Sequence, residues 1–335
     1  MLLIWLEFAI CLAAITVAGY RLSIYGSVIA ERTGMGDTFA GLVLLATVTS
    51  LPELITGVSA VTLADVPDIA IGSLLGSCVF NLALLVILDF LYREESVYSK
   101  AHQGHVLSAG FGIVVIGFVG FSVFESTVRI LPSLGYIGLY TPVIVASYLL
   151  AMRTVFRYER DHRAEFVEET TEHMPDVTLR TASIRYALAA LVVIAAGAWL
   201  PAVGDQMARQ MGWQQSFVGT MFIAFATSAP ELVVTVAALR LGALNMAIGN
   251  LLGSNLFNIA IVAVVDLAYL KGPILSNVSS VHSVSAMSAM IMTGIFIIGL
   301  FYRARTRLYR TVGWASLMLL TVYLINSYIL FIHGG

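Results

Sequence analysis

The chain has 335 residues, 59% of them hydrophobic and only 11% charged, with a formal net charge of −2. A soluble protein carries about a quarter charged residues. This apolar excess therefore excludes a soluble globular chain and points to a polytopic membrane protein.

The chain opens Met1-Leu2-Leu3-Ile4-Trp5, with no basic stretch ahead of the apolar run. That run reads as a first membrane span rather than a cleaved signal. Runs long enough to cross a hydrocarbon core fall near 2–20, 36–62, 68–90, 104–124, 131–152, 183–203, 215–240, 243–269, 282–302 and 311–332. The turn Ala64-Asp65-Val66-Pro67-Asp68 divides the second run from the third. The expected fold is thus all-α, with ten transmembrane helices.

Cys11 and Cys78 both lie in apolar runs and do not make a disulfide framework. His102, His105, His162, His173, His282 and His333 lie in connections or near span ends, which argues against an imidazole metal centre. With the N-terminus outside, fifteen of the eighteen Lys and Arg residues fall in cytoplasmic connections, and only Arg129, Arg209 and Lys271 on the other side. Such a bias supports both the span count and an N-out, C-out orientation. The longest connection, about 153–182, carries both signs of charge and reads as a solvated cytoplasmic linker or short helix. It separates a first five-span unit, 1–152, from a second, 183–335.

The two units share a duplicated block. Thr49-Ser50-Leu51-Pro52-Glu53 returns as Thr227-Ser228-Ala229-Pro230-Glu231. Downstream, Ala70-Ile71-Gly72-Ser73-Leu74-Leu75-Gly76-Ser77-Cys78-Val79-Phe80-Asn81 answers Ala247-Ile248-Gly249-Asn250-Leu251-Leu252-Gly253-Ser254-Asn255-Leu256-Phe257-Asn258. The repeated regions span about 36–90 and 215–269. With five spans per unit, the second copy enters the membrane from the opposite face, which defines an inverted repeat.

A carboxylate inside a span costs about 3 kcal/mol or more, and this chain carries one at the same place in both copies. Each Glu follows a Pro, which withholds a backbone N–H and frees carbonyl oxygens. Ser77 and Asn81, and likewise Ser254 and Asn258, are four residues apart and share a helix face. Gly72, Gly76, Gly249 and Gly253 allow close helix approach. The oxygen-only donor set suits a hard cation such as Ca²⁺ or Na⁺. Two carboxylates balance one Ca²⁺ or two Na⁺. Burial and mutual repulsion work against two bare charges, so a proton competes with the metal ion.

Asp89 and Asp266 each lie eight residues beyond the paired Asn, about 12 Å along a helix. That spacing places them at span ends, solvated at the interface. Glu7 stands alone in the first span and the sequence assigns it no role. Cys78, opposite Asn255, reads as a small packing residue.

These blocks resemble the alpha repeats of the cation/Ca²⁺ exchanger superfamily, nearest its prokaryotic sodium/calcium exchanger branch, and the resemblance covers most of the chain. It implies a mid-bilayer site formed by the second, third, seventh and eighth helices and electrogenic exchange of Na⁺ for Ca²⁺. By motif position, Glu53 and Glu231 would be shared ligands of both ions. Thr49 and Thr227 would offer backbone carbonyls, and Ser50, Ser77, Ser228 and Ser254 would form flanking Na⁺ sites. The carbonyls of Ala46 and Ala224 would complete those sites, and Asn81 and Asn258 would flank the centre. Two departures stand out. Asn258 occupies a position where sodium/calcium exchangers commonly carry Asp, and Ser73 and Cys78 replace residues that are often Asn.

The leading expectation is a secondary antiporter in the cytoplasmic membrane of a prokaryote, with Ca²⁺, Na⁺ and the bilayer as partners. Neither a cofactor, nor nucleic acid, nor an obligate protein partner is inferred. Ca²⁺/H⁺ exchange is the runner-up. A cation channel is disfavoured by the internal duplication, and an intramembrane hydrolase by the lack of a triad or dyad in the spans.

Overall fold

A computed structural model of the chain describes residues 1–33, 49–92, 96–129, 132–161, 177–303, 307–308 and 312–333. In chain order its helices are α1 (Leu2–Arg32), α2 (Leu51–Thr62), α3 (Pro67–Leu91), α4 (His105–Glu125), α5 (Tyr140–Asp161), α6 (Leu179–Met211), α7 (Gln215–Thr227), α8 (Ala229–Arg240), α9 (Leu244–Ala268), α10 (His282–Tyr302) and α11 (Trp314–His333). Among the described residues, seven helices are individually long and apolar enough to cross a membrane. The pair α7–α8 passes the same test together, bent by 44° at Ser228. The protein is a helical membrane protein. Of the expected second span, 36–62, only the portion from Thr49 onward is described, and Ala46 lies outside the described residues, as does the centre of the linker, 162–176.

Two small hairpins interrupt the expected all-α pattern. Strands β1 (Ser133–Leu134) and β2 (Ile137–Gly138) pair antiparallel just ahead of α5. Gly135 supplies the left-handed turn between them, at φ 65°. Strands β3 (Arg307–Leu308) and β4 (Val312–Gly313) do the same ahead of α11.

The core is built around α3 and α9. Their apolar residues run all the way round the helix, as expected where every face is covered by protein. Ile69, Leu74, Leu75, Leu82 and Leu85 of α3, and Ile248, Leu252, Ile259 and Val262 of α9, are almost completely buried. Glycine sets how closely α7 can approach α3: a Cβ on Gly76 would sit 2.5 Å from the Thr220 carbonyl oxygen. Opposite that contact α7 is π-helical, over Gly219–Ile223.

Helices α1 and α6 are the longest, and Ile15 of α1 and Leu200 of α6 belong to the same core. With 31 and 33 residues, each is about 46–50 Å long, well beyond a hydrocarbon core of about 30 Å. Both helices extend beyond the expected spans at 2–20 and 183–203 and continue through polar residues. They pack along each other and share a small apolar cluster of Ala18, Leu22, Ala189 and Val193, separate from the main core. Arg185 Nη1 donates to the Tyr25 hydroxyl at 3.3 Å and its guanidinium lies over the same ring, tying the two helices at one end.

Candidate cation site

Each glutamate sits in the first turn of a helix that begins at a break. Ser50 (φ −93°, ψ 16°) and Ser228 (φ −88°, ψ 6°) hold nearly the same non-helical conformation. Pro52 and Pro230 follow, at positions where a missing N–H costs a helix nothing. Glu53 and Glu231 then lie in the first turn, at the positive end of a helix dipole, which favours a negative side chain.

Glu53 of the first half is reached by Ser228, the residue that opens the Glu231 helix. Both glutamates are about 1% exposed. Ser228, from the second half, lies 3.0 Å from Glu53 Oε1 and 2.8 Å from Ser77 Oγ. Its single proton is donated to one or other of these two oxygens. Ser77 Oγ is in turn 3.4 Å from Thr227 Oγ1. The chain Glu53–Ser228–Ser77–Thr227 thus crosses between the halves at every step. Ser50, the counterpart of Ser228, is fully buried.

Among the described residues, several buried atoms here have no hydrogen-bond partner: Glu53 Oε2, both Glu231 oxygens, Ser50 Oγ, Ser254 Oγ, Asn81 Oδ1 and both amide atoms of Asn258. Burying a carboxylate without compensation costs several kcal/mol. An all-oxygen set bearing two carboxylates compensates that cost when it holds a hard cation. Thr49 and Thr227 are buried beside it. The Ala224 carbonyl accepts from Ser228 N (3.0 Å) and Thr227 Oγ1 (3.3 Å), so it also serves the helix break.

Asn255 joins the halves next to this centre. It accepts from Asn81 Nδ2 at 3.1 Å and donates to the Cys78 carbonyl at 3.2 Å. Asn250 reaches from α9 to Thr235 Oγ1 on α8 (3.3 Å), whereas its counterpart Ser73 bonds only within its own helix, to the Ala70 carbonyl. Cys78 is fully buried, as a packing residue should be.

Two features of the sequence need correcting. Asp89 and Asp266 are not solvated at an interface; both are 0% exposed. Asp89 accepts from Ser96 Oγ (3.3 Å), Val97 N (3.1 Å), Gly313 N (2.7 Å) and Ser316 Oγ (2.8 Å). Asp266 accepts from Gly138 N (2.9 Å), Tyr140 Oη (2.5 Å), Thr141 Oγ1 (2.5 Å) and Ile274 N (2.8 Å). The sequence reading also passed over two histidine contacts. His105, opening α4, lies 3.3 Å from Asn245 Oδ1, and His282, opening α10, lies 2.9 Å from Asp68 Oδ1. The signal was available, because Asp68 and Asn245 hold the same place ahead of the two repeated blocks.

A family profile described as sodium/calcium exchanger protein matches residues 3–149 and 183–331. The chain is 27% identical to the inner membrane protein YrbG of Escherichia coli over 243 residues, 72% of each chain. Among solved structures, the H⁺/Ca²⁺ exchanger CAX superimposes with a TM-score of 0.68 at 13% identity, covering 98% of this chain and 86% of that one. The sodium-calcium exchanger NCX_Mj, soaked with Na⁺ and Sr²⁺, gives a TM-score of 0.57 at 20% identity, covering 97% of this chain and 98% of the other. At these identities the two structures show a shared fold.

Proposed function

The chain belongs to the sodium/calcium exchanger family of the cation/Ca²⁺ exchanger superfamily, whose members are transporters, and we propose that it exchanges Na⁺ for Ca²⁺ by alternating access. The observation that carries this reading is the bond from Ser228, which opens the Glu231 helix, to Glu53 of the other half, among buried oxygen-bearing side chains that include both glutamates. In this reading the centre takes either one Ca²⁺ or Na⁺ ions in its place. Glu53, Glu231, Ser50, Ser77, Ser228, Ser254, Asn81 and Asn258 supply side-chain oxygens, and Thr49, Thr227, Ala46 and Ala224 supply carbonyls.

The proposed architecture is ten spans in two inverted five-helix units, with both termini outside a prokaryotic plasma membrane. The reciprocal contacts support it. Each ties span ends that the charge bias assigns to one face: His282 with Asp68, His105 with Asn245, Asp89 with Gly313, and Asp266 with Gly138. One fold repeated in opposite orientations can present its centre to either side.

Helices α1 and α6 are the proposed moving pair. Gly19 of α1 lies against Pro230, where a Cβ would come within 2.5 Å of the proline ring. Gly197 of α6 lies against Ile55 and Thr56 of α2. Each long helix therefore meets the Glu-bearing helix of the other half at a glycine, which offers no side chain to catch. A bound cation neutralises the two carboxylates and lets the pair pass.

Ca²⁺/H⁺ exchange is the second reading. Asn258 brings no third carboxylate to the centre, and buried carboxylates also accept a proton. Proteoliposomes distinguish the two. In the proposed function, an outward Na⁺ gradient drives Ca²⁺ uptake, and Glu53→Gln abolishes it. Uptake driven by a pH gradient without Na⁺ selects the H⁺ reading. Ca²⁺ conductance without countertransport contradicts both.

A further inference from the structure

We propose that Asp89 and Asp266 are positioning residues for the cation site. Each clamps the end of a ligand-bearing helix to the closing helix of the opposite half. The helices concerned are α3, which carries Ser77 and Asn81, and α9, which carries Ser254 and Asn258.

The division of labour between oxygens carries the argument. Asp89 Oδ1 takes the local donors Ser96 Oγ and Val97 N, which fold the connection after α3. Its Oδ2 takes Gly313 N and Ser316 Oγ, from β4 and α11 of the other half. Asp266 also joins local donors to donors of the other half, with a different split: its Oδ1 takes the local Ile274 N together with the Tyr140 hydroxyl of the other half, and its Oδ2 takes Gly138 N and Thr141 Oγ1, from β2 and α5 of the other half. A local cap needs one acceptor oxygen. A carboxylate is required where two sets of donors from separate halves must be served at one point, since it is acceptor-only with two oxygens.

Burying such a charge is costly, yet the chain does it at matching positions in both halves. The geometry supplies a reason. From Ser77 to Asp89, and from Ser254 to Asp266, runs one unbroken helix of about 18 Å. Fixing its far end fixes the depth and rotation of the ligand side chains. The two clamps lie at opposite ends of the bundle, because α3 and α9 run in opposite directions in the proposed topology. Together they hold both ligand helices in register from both faces while α1 and α6 move. The antiport reading of the site underlies the word "ligand" here, so the test includes a readout that needs no ion.

The test uses the full chain with Asp89→Asn and Asp266→Asn, and Asp65→Asn as a control at an exposed ion pair with Lys271. An asparagine keeps one acceptor oxygen and turns an N–H₂ group toward the other donors. Cys78, adjacent to Ser77 and fully buried, reports on α3 in a Cys11→Ala background. The inference expects maleimide labelling of Cys78 to speed up about tenfold in Asp89→Asn, as loss of charged hydrogen bonds implies, and to stay unchanged in Asp65→Asn. In proteoliposomes it expects the Ca²⁺ KM to rise about tenfold in both clamp variants with maximal rate kept within about twofold. If the aspartate variants fail to fold, Ser316→Ala and Thr141→Ala each remove one inter-half donor, and the same shifts are expected at about two- to threefold. Folded variants with wild-type Cys78 labelling and wild-type KM overturn the inference, as does a loss of maximal rate at constant KM. Wild-type protein that moves no Ca²⁺ counts against the antiport reading alone, and Cys78 labelling then decides the clamp.

Discussion

The two halves carry almost the same motif around their glutamates, yet they use it differently. Among the described residues, Glu53 has one oxygen bonded to Ser228 of the other half, while neither oxygen of Glu231 has a hydrogen-bond partner. Ser77 sits in a hydrogen-bond chain and Ser254 does not. The ties between helices come mainly from the second half: Asn255 bonds to Asn81 and Cys78, and Asn250 to Thr235. In the first half, Ser73 bonds back to its own helix, and Cys78 meets Asn255 through its carbonyl and a long thiol contact of 3.7 Å rather than through an amide side chain. A duplicated site need not be a symmetric one. One copy can keep the structural bonds while the other loses them, provided both keep the carboxylate.

That difference can be attacked in order of expected effect. The largest effect should be the same in both halves. Glu53→Gln and Glu231→Gln should each lower exchange by about a hundredfold or more, because removing one of two buried charges unbalances the centre. Unequal losses, measured as initial Ca²⁺ uptake in proteoliposomes, would mean that the bonded and open carboxylates have separate roles. Next, Gly19→Val places a side chain against Pro230 and should slow exchange by about tenfold or more, as overpacking of a tight contact implies. Ca²⁺ binding by the same variant should persist; loss of both would remove α1 from the moving part.

Smaller effects test the ties. Asn255→Ala leaves Asn81 Nδ2 and the Cys78 carbonyl without their partner and should cost about 2 kcal/mol. Cys78→Ala, which leaves those groups paired, should cost less than about 1 kcal/mol. Unfolding in detergent compares the two, and equal losses would contradict the asymmetry. Smallest of all, Asn250→Ser, which copies the first half's Ser73, should cost about 1 kcal/mol through its bond to Thr235. An unchanged unfolding midpoint would show that this tie adds nothing.

Much of this organisation was legible in the sequence. A Glu after a Pro in an apolar run is costly enough to stand out, and its repetition marked both the site and the duplication. Ser77 and Asn81 followed from helical spacing. Other features escaped for physical reasons. Asp89 and Asp266 looked like solvated span ends because spacing gives distance along a helix and says nothing of what folds over its end. Several of their partners, Gly138 and Gly313 among them, lie in the opposite half, more than a hundred residues away in sequence. Helices α1 and α6 extend beyond the expected spans because a hydropathy pattern ends where the apolar run does, while a helix continues through Arg21 and Arg32, or starts early through Arg180 and Arg185. Ala46 was inferred from the motif and lies outside the described residues.

The central claim is that Glu53 and Glu231 hold one cation between them. Equilibrium Ca²⁺ titration of the purified protein, beside Glu53→Gln and Glu231→Gln, tests it most directly. The account predicts one Ca²⁺ per chain, displaced by Na⁺, and binding lost in either single variant. Wild-type affinity retained in either variant would contradict it.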